Sequence, residues 1–526
     1  MSARGAIGSM MAATLVSRAL GFVKSILLVA AIGGSSVAVG GQTFEIANSA
    51  PTYLFALIAG GVLGAVLVPQ LVRNLQNGPA GQADTDRLLT VVLVGGAAAT
   101  VILTLAAPGI VWAYATTLSP QWHGLATAMA YWCLPQVFFL IAFAVLSQVL
   151  NARGVFGAPA WAPAAANLVG IGGIVVFLAL LPSGLGGVDE WDAQMVAVLS
   201  GSATLAIAIQ AILLVIPLRR IGFRFRFRWG FGGLGRMSTL AGWTLLGVIA
   251  GQAAYLVTSN VASGAGQTLH RMGMDGPSLN SFSVAYLLML LPHGIVTVSL
   301  TTALYTRMSG FAARNDVGQT AALSGAAAQP VAYVSIAAAA VFVALGPLIT
   351  TVLFGGPIIG AVLQVLAVGL IGFSQAYVLN RTSFALQDAR GPFVTQLVIA
   401  GLSATGAAAA ALVLPPEFVV IGIAAGISLA NLVGWQTAHL ALQRTFRARG
   451  HVPVSRPGGA LGYLRLVGAA VAGSATGLAL LTLVGTPTGF AAQLGLLTAA
   501  GAAIATVFVS VSWLLGDRTL GNLRRW

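Results

Sequence analysis

The 526-residue chain is 58% hydrophobic and only 7% charged, with a formal net charge of +14 and a mean hydropathy of +0.93. A water-soluble domain of that composition would expose very large apolar patches, so an ordinary soluble globule is excluded and the bilayer becomes the expected solvent. One cysteine, Cys133, excludes a disulfide framework, and the five histidines contain no i, i+4 pair, so no metal site and no cofactor is expected.

The N-terminus enters a long apolar stretch without a small-residue cleavage site after a short hydrophobic region, and it reads as a retained first span. A helix needs about 20 mostly apolar residues to cross the hydrocarbon core. On that measure the breaks in the sequence predict spans over 10–32, 46–72, 88–117, 123–151, 157–182, 193–218, 237–262, 279–309, 320–346, 350–380, 393–414, 418–443, 461–486 and 490–515. The expected fold is an all-α polytopic membrane protein of about fourteen transmembrane helices. With the N-terminus inside, the termini and even-numbered loops hold 22 of the 25 Lys and Arg residues, the odd-numbered loops hold Arg271 alone, and Arg18 and Lys24 lie within the first span. The positive-inside rule then places both termini in the cytoplasm. The arginines of 219–236 and 444–465 are short juxtamembrane runs suited to anionic headgroups rather than to nucleic acid, and Asp189, Glu190 and Asp192 fall in an outer loop.

Two echoes suggest an internal repeat. Tyr53–Leu71 shadows Tyr286–Leu304 at a shift of 233, and Asn151-Ala152-Arg153-Gly154 shadows Asp388-Ala389-Arg390-Gly391 at 237. Similar spacing in both places argues for two six-helix lobes, and an even number of spans per copy makes them a parallel pseudo-repeat. The expected division is an N-terminal lobe over 1–228, a C-terminal lobe over 229–450, and a helix pair with a short tail over 451–526.

The first span carries the most informative charges. An ionisable group at the bilayer centre costs about 2.5–3.5 kcal/mol, so it usually faces water or a partner. Arg18 and Lys24 flank the middle of 10–32, within about 5 Å of it along the axis, with their heads about 120° apart unless Gly21 bends the helix. Two cations without a nearby acid suit a diphosphate, gripped by the guanidinium through paired hydrogen bonds and by the ammonium as a point charge. The alternative is a span shifted in depth, with Lys24 at one interface and Arg18 on a carbonyl.

Other polar positions leave two readings open. Glu45 is a partner for Lys24, a carrier of a coupling proton, or an interfacial solvated acid. Pro51 and Gly60-Gly61, Pro135, and Pro292 with Gly294 are places where spans can bend or open toward a cavity. His293 either hydrogen-bonds a sugar or satisfies carbonyls freed by Pro292, and Asn48, Gln252, Ser259 and Asn260 either line a cavity or bond between helices. No Walker-type phosphate loop, clustered carboxylates or Ser/His/Asp set occurs, so neither ATP hydrolysis nor membrane-enzyme chemistry is expected.

Ser17-Arg18-Ala19-Leu20-Gly21-Phe22-Val23-Lys24 resembles the SRxLGFxR/K signature of the MurJ (MviN) lipid II flippases, a branch of the multidrug/oligosaccharidyl-lipid/polysaccharide (MOP) exporter superfamily. The resemblance continues through Phe44-Glu45-Ile46-Ala47-Asn48 with Pro51, Gly60-Gly61-Val62-Leu63 to Val68-Pro69, Ala285-Tyr286-Leu287-Leu288 to Leu291-Pro292-His293-Gly294, Arg307-Met308-Ser309, and Phe384-Ala385-Leu386-Gln387-Asp388 to Pro392. It implies a flippase of the bacterial inner membrane that moves lipid II, the lipid-linked peptidoglycan precursor, by alternating access. It also implies a central cationic cavity, a tail groove at the last two spans, and neighbours among membrane lipids and cell-wall synthesis proteins. Arg18 and Lys24 would hold the diphosphate with help from Ser17. The chain departs from many members in having Gln42 where an acid is common, Phe55 and Ala56 near common arginines, and Tyr286-Leu287 near a common Asp-Arg pair. Rival expectations are an ion-coupled drug or polysaccharide exporter of the same superfamily and a non-transporting scaffold of cell-wall synthesis.

Overall fold

The computed structural model describes residues 3–59, 78–180, 187–230, 239–451 and 459–519. Gly60-Gly61, the end of the Tyr53–Leu71 echo, Arg73, Arg236, Arg456 and the Arg524–Trp526 tail lie outside them. Among the described residues thirteen helices are long and apolar enough to cross a membrane. Of the expected second span, 46–72, the first part lies in a further helix, Val39–Ile58, and residues 60–72 lie outside the described residues.

The chain divides into two compact units, Met1–Val248 and Ile249–Trp526. In the first, α1 (Ala3–Ile32), α2 (Val39–Ile58), α3 (Gly78–Leu105), the short α4 (Ala107–Tyr114), α5 (Pro120–Cys133), α6 (Gln136–Ala152), α7 (Gly157–Leu180), α8 (Ala193–Ile212) and α9 (Val215–Arg220) follow in order. Helix α1 packs on α7 and α7 on α8. A buried cluster of Leu88, Leu89, Val137, Ile141, Val145 and Leu214 ties α3, α6 and the end of α8 together. Outward faces are apolar too. Leu105 is 74% exposed and Ile102 is 65% exposed, which would be unfavourable in water and is ordinary against lipid.

Proline decides two local shapes. The expected fourth span is two helices, α5 and α6, separated at Leu134 and Pro135, because a proline offers no N–H and its ring crowds the preceding turn. Helix α2, by contrast, continues through Pro51.

In the second unit α10 (Thr239–Arg271), which starts in the first, is followed by α11 (Leu279–Pro292), a π-helical turn over His293–Val298, and α12 (Ser299–Ala313). Pro292 thus opens its span by widening the helix rather than ending it, as π-turns do where the i→i−4 ladder is interrupted. Then come α13 (Val317–Phe354), α14 (Ile358–Ala385), α15 (Arg390–Val413), α16 (Pro416–Ala448), α17 (Gly459–Val484) and α18 (Phe490–Leu514). Helix α14 packs against α13 and α16, and α17 and α18 pack on each other and on α13.

The helix ends refine the repeat. Helix α6 ends at Ala152 and α7 starts at Gly157, whereas α14 ends at Ala385 and α15 starts at Arg390, so both landmarks recur at the same 233-residue shift as the first echo. Gly154 (φ 76°) and Gln387 (φ 57°) are the left-handed residues that close the two helices. The Asn-Ala-Arg-Gly match at 237 is therefore out of structural register by about one helical turn. Its second copy belongs to the start of the next helix, where Asp388 Oδ1 accepts from the amides of Arg390 (3.0 Å) and Gly391 (3.3 Å).

Candidate functional site

Helix α1 places Ser17, Gly21 and Lys24 along one face at i, i+4 and i+7, and that face lies on α7. Asn167 Nδ2 donates to the Ser17 carbonyl at 2.8 Å and lies 3.4 Å from the Ser17 hydroxyl. A Cβ at Gly21 would come within 3.3 Å of the same amide, and one at Gly170 within 3.0 Å of Lys24 Cδ. The Lys24 stem therefore runs along the small-residue face of α7, and its ammonium enters a cavity.

That cavity has a volume of about 240 Å³ and lies wholly within the first unit, between α1, α2, α6, α7 and α8. Its polar lining is Lys24, Asn48, Thr52, Gln136, Asn167, Ser202 and Gln210, with Phe44, Leu28, Ile174 and Leu199 among the apolar walls. None of the lining residues is an acid. Lys24 is the sole lysine of the chain. Gln136 Nε2 donates to Asn48 Oδ1 at 3.2 Å, which fixes both amides on the wall opposite α7. Gln136 is the first residue of α6 after the Pro135 break, so the interruption of the span is what aims this side chain.

The structure brings Lys24 and Asn48 together and ties Ser17 to Asn167, a residue of the lining. Helix α1 runs unbroken through Gly21, so Arg18 keeps its angular offset from Lys24. Arg18 is half-buried and does not line this cavity. Glu45 is half-buried in α2 and Pro51 is buried one turn beyond Asn48, both outside the lining. Gln42 is fully buried, donates to the Ser36 carbonyl at 3.1 Å, and leaves its Oε1 without a partner among the described residues.

His293 and Asn260 belong to the second unit and are described there. His293 is buried at the start of the π-turn, with Nδ1 3.0 Å from Ser374 Oγ and its ring 4.6 Å from Phe373 and 5.1 Å from Tyr377. One turn along α14, Arg381 donates to the Tyr377 hydroxyl through Nε (3.2 Å) and Nη2 (3.1 Å). Asn260 Nδ2 donates back to the Leu256 carbonyl of its own helix at 2.8 Å.

Sequence reasoning did not single out Gln136, Asn167, Ser202 or Gln210. Gln136 and Asn167 carried a usable signal, each a polar residue near the middle of a predicted span, but which helix each would face cannot be read from one sequence.

Over 473 residues the chain is 25% identical to the probable lipid II flippase MurJ of Rhizobium meliloti (strain 1021), covering 84% of this chain and 79% of that protein. It is 24% identical over 313 residues to the probable lipid II flippase MurJ of Buchnera aphidicola subsp. Acyrthosiphon pisum (strain APS), where it spans about half (55%) of the relative's length. Among solved structures, lipid II flippase MurJ in an inward closed conformation superposes with a TM-score of 0.70 at 16% identity, covering 95% of this chain and 98% of that one. An inward-facing MATE-family transporter of the MOP superfamily gives 0.63 at 15% identity, covering 85% of this chain and 99% of that one. Both likenesses concern the fold. Residues 29–513 match the family described as Lipid II flippase MurJ, and the chain belongs to that family.

Proposed function

We propose that this protein carries lipid II from the inner to the outer leaflet of the bacterial cytoplasmic membrane by alternating access, without a covalent step. The single observation that supports this most is Lys24, a lone ammonium at mid-span over a polar cavity whose lining contains no acid. A cation so placed is unfavourable in the resting protein and favourable when a diphosphate arrives, because charge-assisted hydrogen bonds strengthen where water is scarce. Arg18 adds a second positive charge on the same helix, outside this cavity, and Ser17 assists through Asn167. Asn48 orients the polar wall and Pro51 shapes α2.

The reading includes cytoplasmic termini, supported by the distribution of arginine, and lobes over 1–228 and 229–450 with a helix pair over 451–526. Membrane potential is the first energy source to test, since a transported charge gains about 2.3 kcal/mol per 100 mV. Proteins of cell-wall synthesis are the partners to examine first.

Depletion of the protein followed by rescue tests the proposal, with lipid II accessibility at the outer leaflet as the readout in cells without another flippase. Arg18→Ala should rescue at least tenfold less transport than the wild type; full rescue would remove Arg18 from the site. An ion-coupled exporter is the second reading, favoured by the MATE-like fold and by Glu45 near the start of α2. Glu45→Gln should retain transport within about twofold, and its loss would favour the second reading.

A further inference from the structure

Beyond α9 the chain runs Phe223-Arg224-Phe225-Arg226-Phe227-Arg228-Trp229 without helix, turn or bend, with aromatic and arginine residues alternating along it, the order that a strand-like backbone sets on two faces. The first aromatic is anchored. Phe223 is buried with Leu214 and Leu218, and the Arg153 guanidinium sits 4.9 Å over its ring. Farther along the run, Phe225, Phe227 and Trp229 are exposed by 45%, 69% and 58%. The far end is pinned as well, because the Arg228 amide donates to Thr90 Oγ1 at 3.1 Å. Among the described residues no carboxylate pairs with Arg224, Arg226 or Arg228, and nearby Arg87 is already matched to Asp84 at 3.1 Å.

We infer that residues 223–229 form an interfacial strip that holds anionic phospholipid headgroups against the first unit. Aromatic rings prefer the headgroup level of a bilayer, and each basic residue at an anionic leaflet raises affinity about fivefold. A strip fixed at both ends, in which exposed aromatic rings alternate with arginines, matches that boundary. A soluble partner would have to bury the aromatic face while leaving three arginines unmatched. The occupant is therefore an anionic glycerophospholipid, and the strip lies at the cytoplasmic leaflet if the proposed orientation holds. The inference does not depend on the transported substrate.

Spin labels at Phe227→Cys and, separately, Arg226→Cys in a Cys133→Ser background test it on the full chain in nanodiscs. With phosphatidylcholine and phosphatidylglycerol, the label at 227 should collide with oxygen and be shielded from a water-soluble nickel chelate. The label at 226 should show the reverse, and pure phosphatidylcholine should weaken the contrast. The variant combining Arg224→Gln, Arg226→Gln and Arg228→Gln should retain phosphatidylglycerol on the order of 100-fold less tightly through purification. Equal nickel access at both positions in both lipids would overturn the inference, as would undiminished lipid retention by the triple variant. Shielding of 227 that requires soluble protein, or spin–spin broadening from a second copy, would also overturn it.

Discussion

The two units use small residues for opposite ends. In the first, the glycine face of α7 meets side chains, with Gly170 giving way to the Lys24 stem, and the helices leave a polar cavity of about 240 Å³ around that lysine. In the second, some glycines meet side chains, as Gly434 meets Ile399, but others bring backbones together. A Cβ at Gly369 would lie 2.7 Å from Ser428 Cα, one at Gly406 2.9 Å from Gly426 Cα, and one at Gly372 would overlap the Asn431 backbone. Several buried polar side chains of the second unit meet other protein groups. Gln375 donates to the Ala328 carbonyl at 3.0 Å, Thr382 to Ser324 at 2.8 Å, and His293 meets Ser374 at 3.0 Å, so these side chains have protein partners. Buried polar groups with partners serve packing, whereas a cation over a cavity is poised for something that is not yet bound.

Substitutions can break that contrast. Gly372→Ala should destabilise the second unit by about 1–3 kcal/mol, since the overlap is with backbone that cannot rotate away. Thermal melting in detergent checks it, and an unchanged transition would mean the close approach is not maintained. Asn167→Ala should have the smaller effect, about 1 kcal/mol for the bond to the Ser17 carbonyl. It should lower transport by roughly fivefold while leaving the melt nearly unchanged; the opposite pattern would make Asn167 a packing residue only.

Much of the fold was legible because lipid imposes a simple code of length, apolarity and charge. Thirteen helices answer to the expected spans, and the cations of the first span stood out against an apolar background. Pro135 and Pro292 marked real irregularities, yet the sequence did not say that one would end a helix and the other widen it. Proline removes the same donor in both places, and the neighbouring helices decide how the freed carbonyls are met. The cavity was half legible. Lys24 and Asn48 belong to it, whereas Gln136, Asn167, Ser202 and Gln210 emerged only with the packing, because polar side chains in a span read alike whether they face a void or a neighbouring helix. The lobe-repeat register was also corrected at one of its two echoes, where a four-residue match straddled a helix end.

The most direct test of the cationic site is outer-leaflet lipid II accessibility in depleted cells rescued with Lys24→Ala. Loss of a charge-assisted contact worth about 1.5–3 kcal/mol should reduce transport roughly 10- to 100-fold, with the protein still present in the membrane at wild-type level. Rescue equal to the wild type would contradict the account.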